Sequence, residues 1–228
     1  MLKKLLLIYI MWYNVYIKVS ITTVHFVSKG IYMIVHDITK EATALPLNNS
    51  IPVVDLQWET RIDCGEDCNF SKIKMSSHAG THIDTPYHFV DDGKCISDYP
   101  MSRFIGGCTV VTVNQVLTGE DMEKLLPRCK KKILFKGGEK GVLTSSAVYV
   151  MEDYGIELIG TENMSIAFEA EENKVNRALA YNDVLLINNL NLSKINDGTY
   201  TLIALPLKIE GAEATQCRAI LLEQEKGW

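Results

Sequence analysis

The chain has 228 residues, of which 47% are hydrophobic and 22% charged, and its formal net charge is −5. That length suits one globular domain with an appendage, and the apolar content is enough for a full core. The composition excludes a disordered, collagen-like or disulfide-scaffold protein, and the acidic balance argues against a nucleic-acid partner. Because six cysteines are too sparse for a secreted disulfide framework, we expect a reducing, cytoplasmic location.

The first 32 residues differ from the rest of the chain in their hydrophobic pattern. Lys3 and Lys4 precede a thirteen-residue apolar run, Leu5 to Ile17, which is shorter than the roughly 20 residues of a membrane-spanning helix. The run resembles the start of a signal peptide, but no small-residue cleavage site follows it. Three interpretations stay open: sequence upstream of a natural start at Met33, an added strand or helix, or an export or anchor signal. We treat residues 1–32 as an N-terminal extension, residues 33–228 as one domain, and a membrane partner as not expected.

From residue 33 onward the hydrophobic pattern alternates between strand and helix periods. Thr118 and Asp121 form a capping box that begins a helix, Ser145 is the expected N-cap of the next helix, and Gly155 is expected to end it in a left-handed conformation. Alternating elements in the middle, with strand-rich ends, predict an α/β domain with a mixed sheet. The predicted ranges are strand 34–38, loop 45–52, strand 108–116, helix 118–126, strand 133–135, helix 143–154, strand 156–159, helix 173–181, and strands 183–190, 200–205 and 218–222.

Three of the five histidines lie within eleven residues, at His78, His82 and His88, and Asp84 lies between them. Imidazole and carboxylate together suit a borderline divalent ion such as zinc or manganese. In an extended strand the Cα atoms of His78 and His82 would be about 13 Å apart, at roughly 3.3 Å per residue. The chain must therefore tighten between them, and Gly80 permits the unusual φ that such a turn needs.

The remaining histidine of this segment need not be a ligand. An unligated imidazole near neutral pH is a natural proton shuttle, so His88 is a candidate general acid and base. Asp84 can reach the same ion as the first two histidines if the chain runs extended into Pro86. The alternative is three unrelated histidines in a polar loop, but their concentration around Gly, Asp and Pro favours a metal site.

The string HAGTHIDTPYHF, residues 78–89, resembles the His-x-Gly-Thr-His-x-Asp-x-Pro-x-His signature of the cyclase-like metal-dependent hydrolases, which include bacterial kynurenine formamidases. Residues 35–39, 155–165 and 201–212 are similar to the family's opening strand, central strand and turn, and closing segment. The resemblance thus covers residues 33–228 and marks them as a catalytic domain of this type. It implies a mixed, partly barrel-like β-sheet of the swivelling β/β/α type with flanking helices, assembled as a homodimer or larger homo-oligomer.

The resemblance also implies roles for individual residues. It assigns His78, His82 and Asp84 to the metal and His88 to acid–base catalysis. Family members with two metals add a histidine and a glutamate, and the corresponding positions here are Asn176 and Asn188, which are poor zinc ligands. We therefore expect one zinc or manganese ion per chain. The two asparagines and Tyr87 are expected to line the substrate pocket.

Some other side chains have two interpretations each. Cys64 and Cys68 are expected to be loop thiols rather than a second metal or redox site, and Cys108 and Cys217 to be packed in the core. Trp58 is predicted to lie in the core, at an interface or in the pocket. Four glutamates that precede the Asn176 helix are expected to be solvated, although one could supply a replacement carboxylate: Glu162, Glu169, Glu171 and Glu172.

The predicted function is metal-dependent hydrolysis of a small amide or formamide, with water activated by the metal and His88 moving the proton. By resemblance, the candidate substrate is N-formylkynurenine, an intermediate of tryptophan catabolism. One alternative keeps the metal but assigns a lyase, cyclisation or lactone-opening reaction. Another is a metal- or ligand-binding relative that has lost turnover together with the second metal site.

Overall fold

A computed structural model describes residues 6–10, 15–19, 23–28, 31–42, 54–137 and 143–226. The strands are β1 (Leu6–Ile10), β2 (Val15–Val19), β3 (Thr23–Ser28), β4 (Ile31–Asp37), β5 (Asp55–Thr60), β6 (Phe70–Lys74), β7 (His82–Asp84), β8 (Ile105–Thr112), β9 (Lys132–Lys136), β10 (Leu158–Thr161), β11 (Leu185–Asn188), β12 (Gly198–Pro206) and β13 (Ala214–Lys226). The helices are α1 (Gly119–Leu125), α2 (Ser145–Asp153) and α3 (Glu172–Tyr181). None of the helices among these residues is long and apolar enough to cross a membrane.

Seven of the strands close into a barrel. Their order is β13-β12-β8-β9-β10-β11-β7, and the barrel closes because β7 pairs with both β11 and β13. The four strands β8 to β11 run parallel, so the chain must cross over between them, and α1, α2 and α3 occupy the three crossovers. The predicted mixed, barrel-like sheet with flanking helices is therefore confirmed.

Two apolar layers hold this architecture together. Successive side chains of a strand point to opposite faces, and in β9 Leu134 belongs to the barrel interior whereas Ile133 and Phe135 pack under the helices. Both faces of β9 are thus buried, which explains why it reads as a continuous apolar run. Cys108 and Cys217 lie in the interior layer as expected.

The long strand β13 connects the barrel to the N-terminal strands. Its first residues pair with β7, its middle with β12, and its last residues, 220–226, with β4. The strands β3, β2 and β1 then continue the sheet in antiparallel order from β4. The strand predicted over residues 34–38 corresponds to β4 and is confirmed.

The hairpin of β5 and β6 forms a separate two-stranded sheet just before the histidine-rich segment. Several of its large apolar side chains are exposed, including Leu56, Trp58 and Ile73. The core position considered for Trp58 is therefore wrong, and its possible place in an interface or pocket stays a prediction. Cys64 and Cys68 lie exposed in the loop of this hairpin as free thiols.

The turn between α3 and β11 is fixed by one carboxylate. Asp183 has a left-handed backbone, φ 54°, and accepts hydrogen bonds from Tyr99 (2.6 Å), Lys94 (2.9 Å) and Arg103 (3.0 Å). Partial burial raises the pKa of Asp183, but the three donors outweigh burial and hold the pKa below its usual value. The carboxylate stays ionised and ties residues 94–103 to the helix layer.

Most predicted elements are present, with shifted ends. The capping box of Thr118 and Asp121 is confirmed, and Gly155 is left-handed with φ 58°. The N-cap of α2 is Thr144 rather than Ser145, because the Thr144 backbone is still extended while Ser145 is the first helical residue. The free Ser145 N–H donates to the Glu171 carboxylate. The two strands predicted over 108–116 and 156–159 correspond to β8 and β10. The loop predicted over residues 45–52 lies outside the described residues.

Candidate metal centre

The strand β7 supplies two of the candidate ligands. His82 and Asp84 are two residues apart, so their side chains project from the same face of the strand, while Ile83 points into the barrel core. Asn188 of β11 lies opposite His82, and Ala214 of β13 lies opposite Asp84. The two candidate ligands on β7 are therefore held from both sides by barrel pairing.

A tight turn brings the third candidate ligand to them. The Ala79 N–H donates to the Ser76 carbonyl (3.1 Å), and Gly80 is left-handed with φ 65°. The turn places His78 Nδ1 3.1 Å from Asp84 Oδ1, and the His78 and His82 ring centroids 5.1 Å apart. The prediction that the chain tightens at Gly80 is confirmed.

The donor atoms of His78, His82 and Asp84 all lie within 4.8 Å of one another. His82 Nδ1 lies 2.9 Å from the Gly80 carbonyl oxygen, so in the neutral ring this nitrogen carries the proton and donates it there. His82 Nε2 then keeps a lone pair, and it lies 3.5 Å from Asp84 Oδ1. A backbone hydrogen bond that fixes the tautomer of a ligating histidine is typical of metal sites.

The electrostatics of His82 and Asp84 suit a cation, whereas His78 has to release a proton to bind one. Burial lowers the pKa of His82 and so favours the neutral imidazole. Burial raises the pKa of Asp84, but the hydrogen bond from His78 and the neighbouring imidazoles outweigh it and hold the pKa below its usual value. Burial lowers the pKa of His78, yet Asp84 and Glu213 together raise it above the usual value. Two imidazoles and one ionised carboxylate fit a borderline divalent ion such as zinc or manganese.

The candidate acid–base residue lies beside this set. His88 ends a 3-10 turn, Pro86–His88, and its ring centroid is 4.5 Å from that of His78 and 4.2 Å from that of Phe89. Desolvation by these packed rings lowers the pKa of His88, and the carboxylate of Asp84 opposes that shift. The ring is nonetheless exposed to solvent on one side, as is the adjacent Tyr87. A neutral, accessible imidazole can accept a proton from water.

Both asparagines lie near Asp84. Asn188 Nδ2 donates to Asp84 Oδ2 (2.8 Å), and Asn176 of α3 lines a cleft together with Asp84 and Phe89. The cleft has a volume of about 10 Å³, which is room for roughly one water molecule. The Oδ1 atoms of Asn176 and Asn188 are buried without a hydrogen-bond partner among the described residues. Sequence reasoning thus placed these two residues close to the candidate ligands.

One acidic residue of the site was not predicted. Glu213 Oε1 accepts a hydrogen bond from Ser77 Oγ (2.6 Å) and lies 3.3 Å from His78 Nε2. Two of the glutamates considered from the sequence have other partners: Glu162 accepts from the Gly137 and Leu192 N–H groups, and Glu171 from that of Ser145. The only sequence signal for Glu213 was its position directly after the recognised closing segment.

The fold and the donor set define a closed β-barrel protein with three residues that could together hold a divalent cation. Residues 32–167 match the family model described as "Putative cyclase". A kynurenine formamidase of Erythrobacter litoralis is 31% identical over 176 residues, which are 72% of this chain and 81% of that protein. Cyclase-like protein 1 of Arabidopsis thaliana is 29% identical over 216 residues, covering 85% of each chain.

A solved structure shows the same likeness. The "predicted metal-dependent hydrolase" from Bacillus stearothermophilus is 25% identical, with a TM-score of 0.70, over 83% of this chain and 98% of that one. The chain belongs to the cyclase-like family of metal-dependent hydrolases.

Proposed function

We propose that this protein hydrolyses a small amide or formamide with the help of one divalent cation, and that N-formylkynurenine is the candidate substrate. The observation that carries the proposal is the convergence of the ligand atoms of His78, His82 and Asp84 within 4.8 Å, with the ring centroid of His88 4.5 Å from that of His78. The relative named kynurenine formamidase supports the choice of substrate class. It also supports a place for the reaction in tryptophan catabolism.

The cation is zinc or manganese, held by His78, His82 and Asp84. Such an ion, when bound, polarises a substrate carbonyl and acidifies water. The hydrogen bond from Asn188 to Asp84 Oδ2 supports a single ion per chain, because that oxygen is already engaged by an amide N–H. Neither Asn176 nor Asn188 offers the imidazole or carboxylate that a second zinc ion prefers.

The proton is moved by His88. Its neutral ring accepts a proton from the attacking water and returns it to the nitrogen that leaves. The exposed side of the ring leaves room for a substrate beside His78. Tyr87, the exposed neighbour of His88 in the chain, offers an aromatic surface for an aryl amine. In this arrangement, binding of the cation and movement of the proton belong to different residues.

A second candidate function is cation or ligand binding without turnover. The observation that favours it is the pair of buried, unpaired amide oxygens on Asn176 and Asn188. These acceptors could hold a ligand N–H group where two-metal relatives would hold an ion. A lyase or lactone-opening reaction at the same cation stays a prediction.

The experiment that tests the proposal is formate release by protein loaded with zinc or, separately, manganese. N-formylkynurenine and formanilide are the amide substrates, and an aryl lactone is the comparison. We expect formate release that a chelator abolishes and either cation restores. Full cation loading without hydrolysis of any amide would contradict the proposal and favour the binding function, whereas hydrolysis of the lactone alone would favour the alternative reaction.

Two expectations concern the setting of the protein. All six cysteines are free thiols, which supports the cytoplasmic location inferred from their spacing. Assembly as a homodimer or larger homo-oligomer stays a prediction that size measurement in solution can test.

A further inference from the structure

We infer that Glu213 is a positioning residue of the cation centre, which acts by holding the ring of His78 through Nε2. The inference rests on the proposed cation site, and the mechanism above gives Glu213 no role. The Glu213 carboxylate contacts His78 through the ring nitrogen that does not face Asp84.

The two nitrogens of His78 face two different acids. Nδ1 lies 3.1 Å from Asp84 Oδ1, and Nε2 lies 3.3 Å from Glu213 Oε1. A neutral imidazole has one N–H and one lone pair. Without a cation, Nδ1–H donates to Asp84. When a cation takes the place of that proton and Nε2 donates its own proton to Glu213, the lone pair on Nδ1 faces the cation. The other tautomer would aim a lone pair at the Glu213 carboxylate and would leave no lone pair for the cation.

This arrangement corresponds to a carboxylate–histidine–metal triad. A ligating histidine commonly donates its second N–H to a carboxylate, which fixes the tautomer and ring orientation and raises the basicity of the ligand. For His82 the same task is performed by the Gly80 carbonyl. With Glu213 included, each of the two candidate imidazole ligands has its own acceptor on the nitrogen that faces away from the cation.

Glu213 is itself held in place by the barrel. Its carboxylate accepts from Ser77 Oγ (2.6 Å), and its backbone carbonyl accepts from both the N–H and the hydroxyl of Thr85 (2.9 and 2.8 Å). The next residue, Ala214, pairs with Asp84 across β13 and β7. Because the backbone bonds do not involve the Glu213 side chain, a Glu213→Gln variant is expected to fold.

The test is the affinity of the full chain for Zn²⁺ and Mn²⁺, measured by competition with a chromophoric chelator. We expect Glu213→Gln to weaken the affinity about 10- to 100-fold and Ser77→Ala to weaken it less, in the same direction. The matched control is Glu210→Gln, which removes the same charge from an exposed side chain three residues earlier. The control should change the affinity by less than about twofold, because exposed, distant charges are screened. Thermal denaturation of the cation-free variants checks that each one folds.

Each outcome decides for or against the inference. It is overturned by equal affinities of the wild type and Glu213→Gln, or by an equal loss in Glu210→Gln. A slower turnover of Glu213→Gln at unchanged affinity also overturns it, since Glu213 would then act on His88, which shares its cluster. Tight binding that Glu213→Gln weakens, in a wild type without formate release, supports the inference while contradicting the proposed function. A wild type that binds neither cation overturns both.

Discussion

The turn at Gly80 offers a sharp test of how the centre is built. Gly80 has φ 65°, and a Cβ added there would lie 2.7 Å from the Cα of Ala42 and 3.0 Å from its backbone nitrogen. The contacted atoms belong to the backbone and cannot move aside like the end of a flexible side chain. We therefore predict that Gly80→Ala destabilises the protein through two separate effects.

The magnitude follows from adding the two effects. A left-handed conformation costs an L-residue about 1–2 kcal/mol relative to glycine, and forcing an extra carbon into a packed site costs about 1–3 kcal/mol. The free energy of unfolding should therefore fall by about 2–5 kcal/mol. The Gly80 carbonyl also accepts hydrogen bonds from His82 Nδ1 and Asn189 Nδ2, so the affinity for the cation should fall as well.

The chain contains a matched control in Gly211. Its φ is 71°, close to that of Gly80, but an added Cβ would meet nothing within 4 Å. Gly211→Ala should therefore show only the backbone cost, about 1–2 kcal/mol. Urea denaturation of both variants measures the two free energies of unfolding, and their difference isolates the contact with Ala42. Equal destabilisation in the two variants would refute the reasoning, because the close approach to Ala42 would then cost nothing.

Three further predictions concern catalysis, pH and stoichiometry. His88→Ala should lower turnover by about 10² or more while cation content, measured by elemental analysis, stays unchanged; normal turnover would remove His88 from the mechanism. Folding lowers the pKa of Asp183. The ionised carboxylate therefore adds about 1 kcal/mol to the free energy of unfolding at a pH above its unfolded pKa of about 3.9. This stabilisation is lost as the pH falls through the folded pKa. The stability advantage of wild type over Asp183→Asn, measured by urea denaturation, should accordingly be larger at pH 7 than near pH 3, and a pH-independent difference would contradict it. Asn176→His combined with Asn188→Glu should raise the bound cation from one to two per chain, and a value that stays at one would show that these positions are misplaced.

The parts of the site that could be predicted are local in sequence. His78, His82 and Asp84 lie within seven residues, and the need for a tight turn at Gly80 follows from the reach of an extended chain. A short segment with this composition carries its own geometric constraints. The position of each candidate ligand relative to the others could therefore be inferred before the fold was known.

Glu213 could not be predicted because long-range pairing brings it to the site. Glu213 is adjacent to Ala214, and Ala214 pairs with Asp84, which lies 130 residues earlier in the chain. Hydrophobic periodicity indicates that β13 is a strand, but it does not specify which strand lies beside it. Likewise, periodicity predicted β10 two residues early, because Ile156 still closes the end of α2 through its N–H bond to Met151.

The dependence of β7 on β13 and β11 has a consequence for synthesis of the protein. The candidate ligands emerge from the ribosome together, but the pairing segments of β11 and β13 begin about 100 and 130 residues later. At about 5–20 residues per second, β7 waits on the order of ten seconds with both edges unpaired. During this interval the nascent chain presents an uncovered template for intermolecular association, so yield in the cell should depend on chaperone supply more than the stability of the finished barrel suggests.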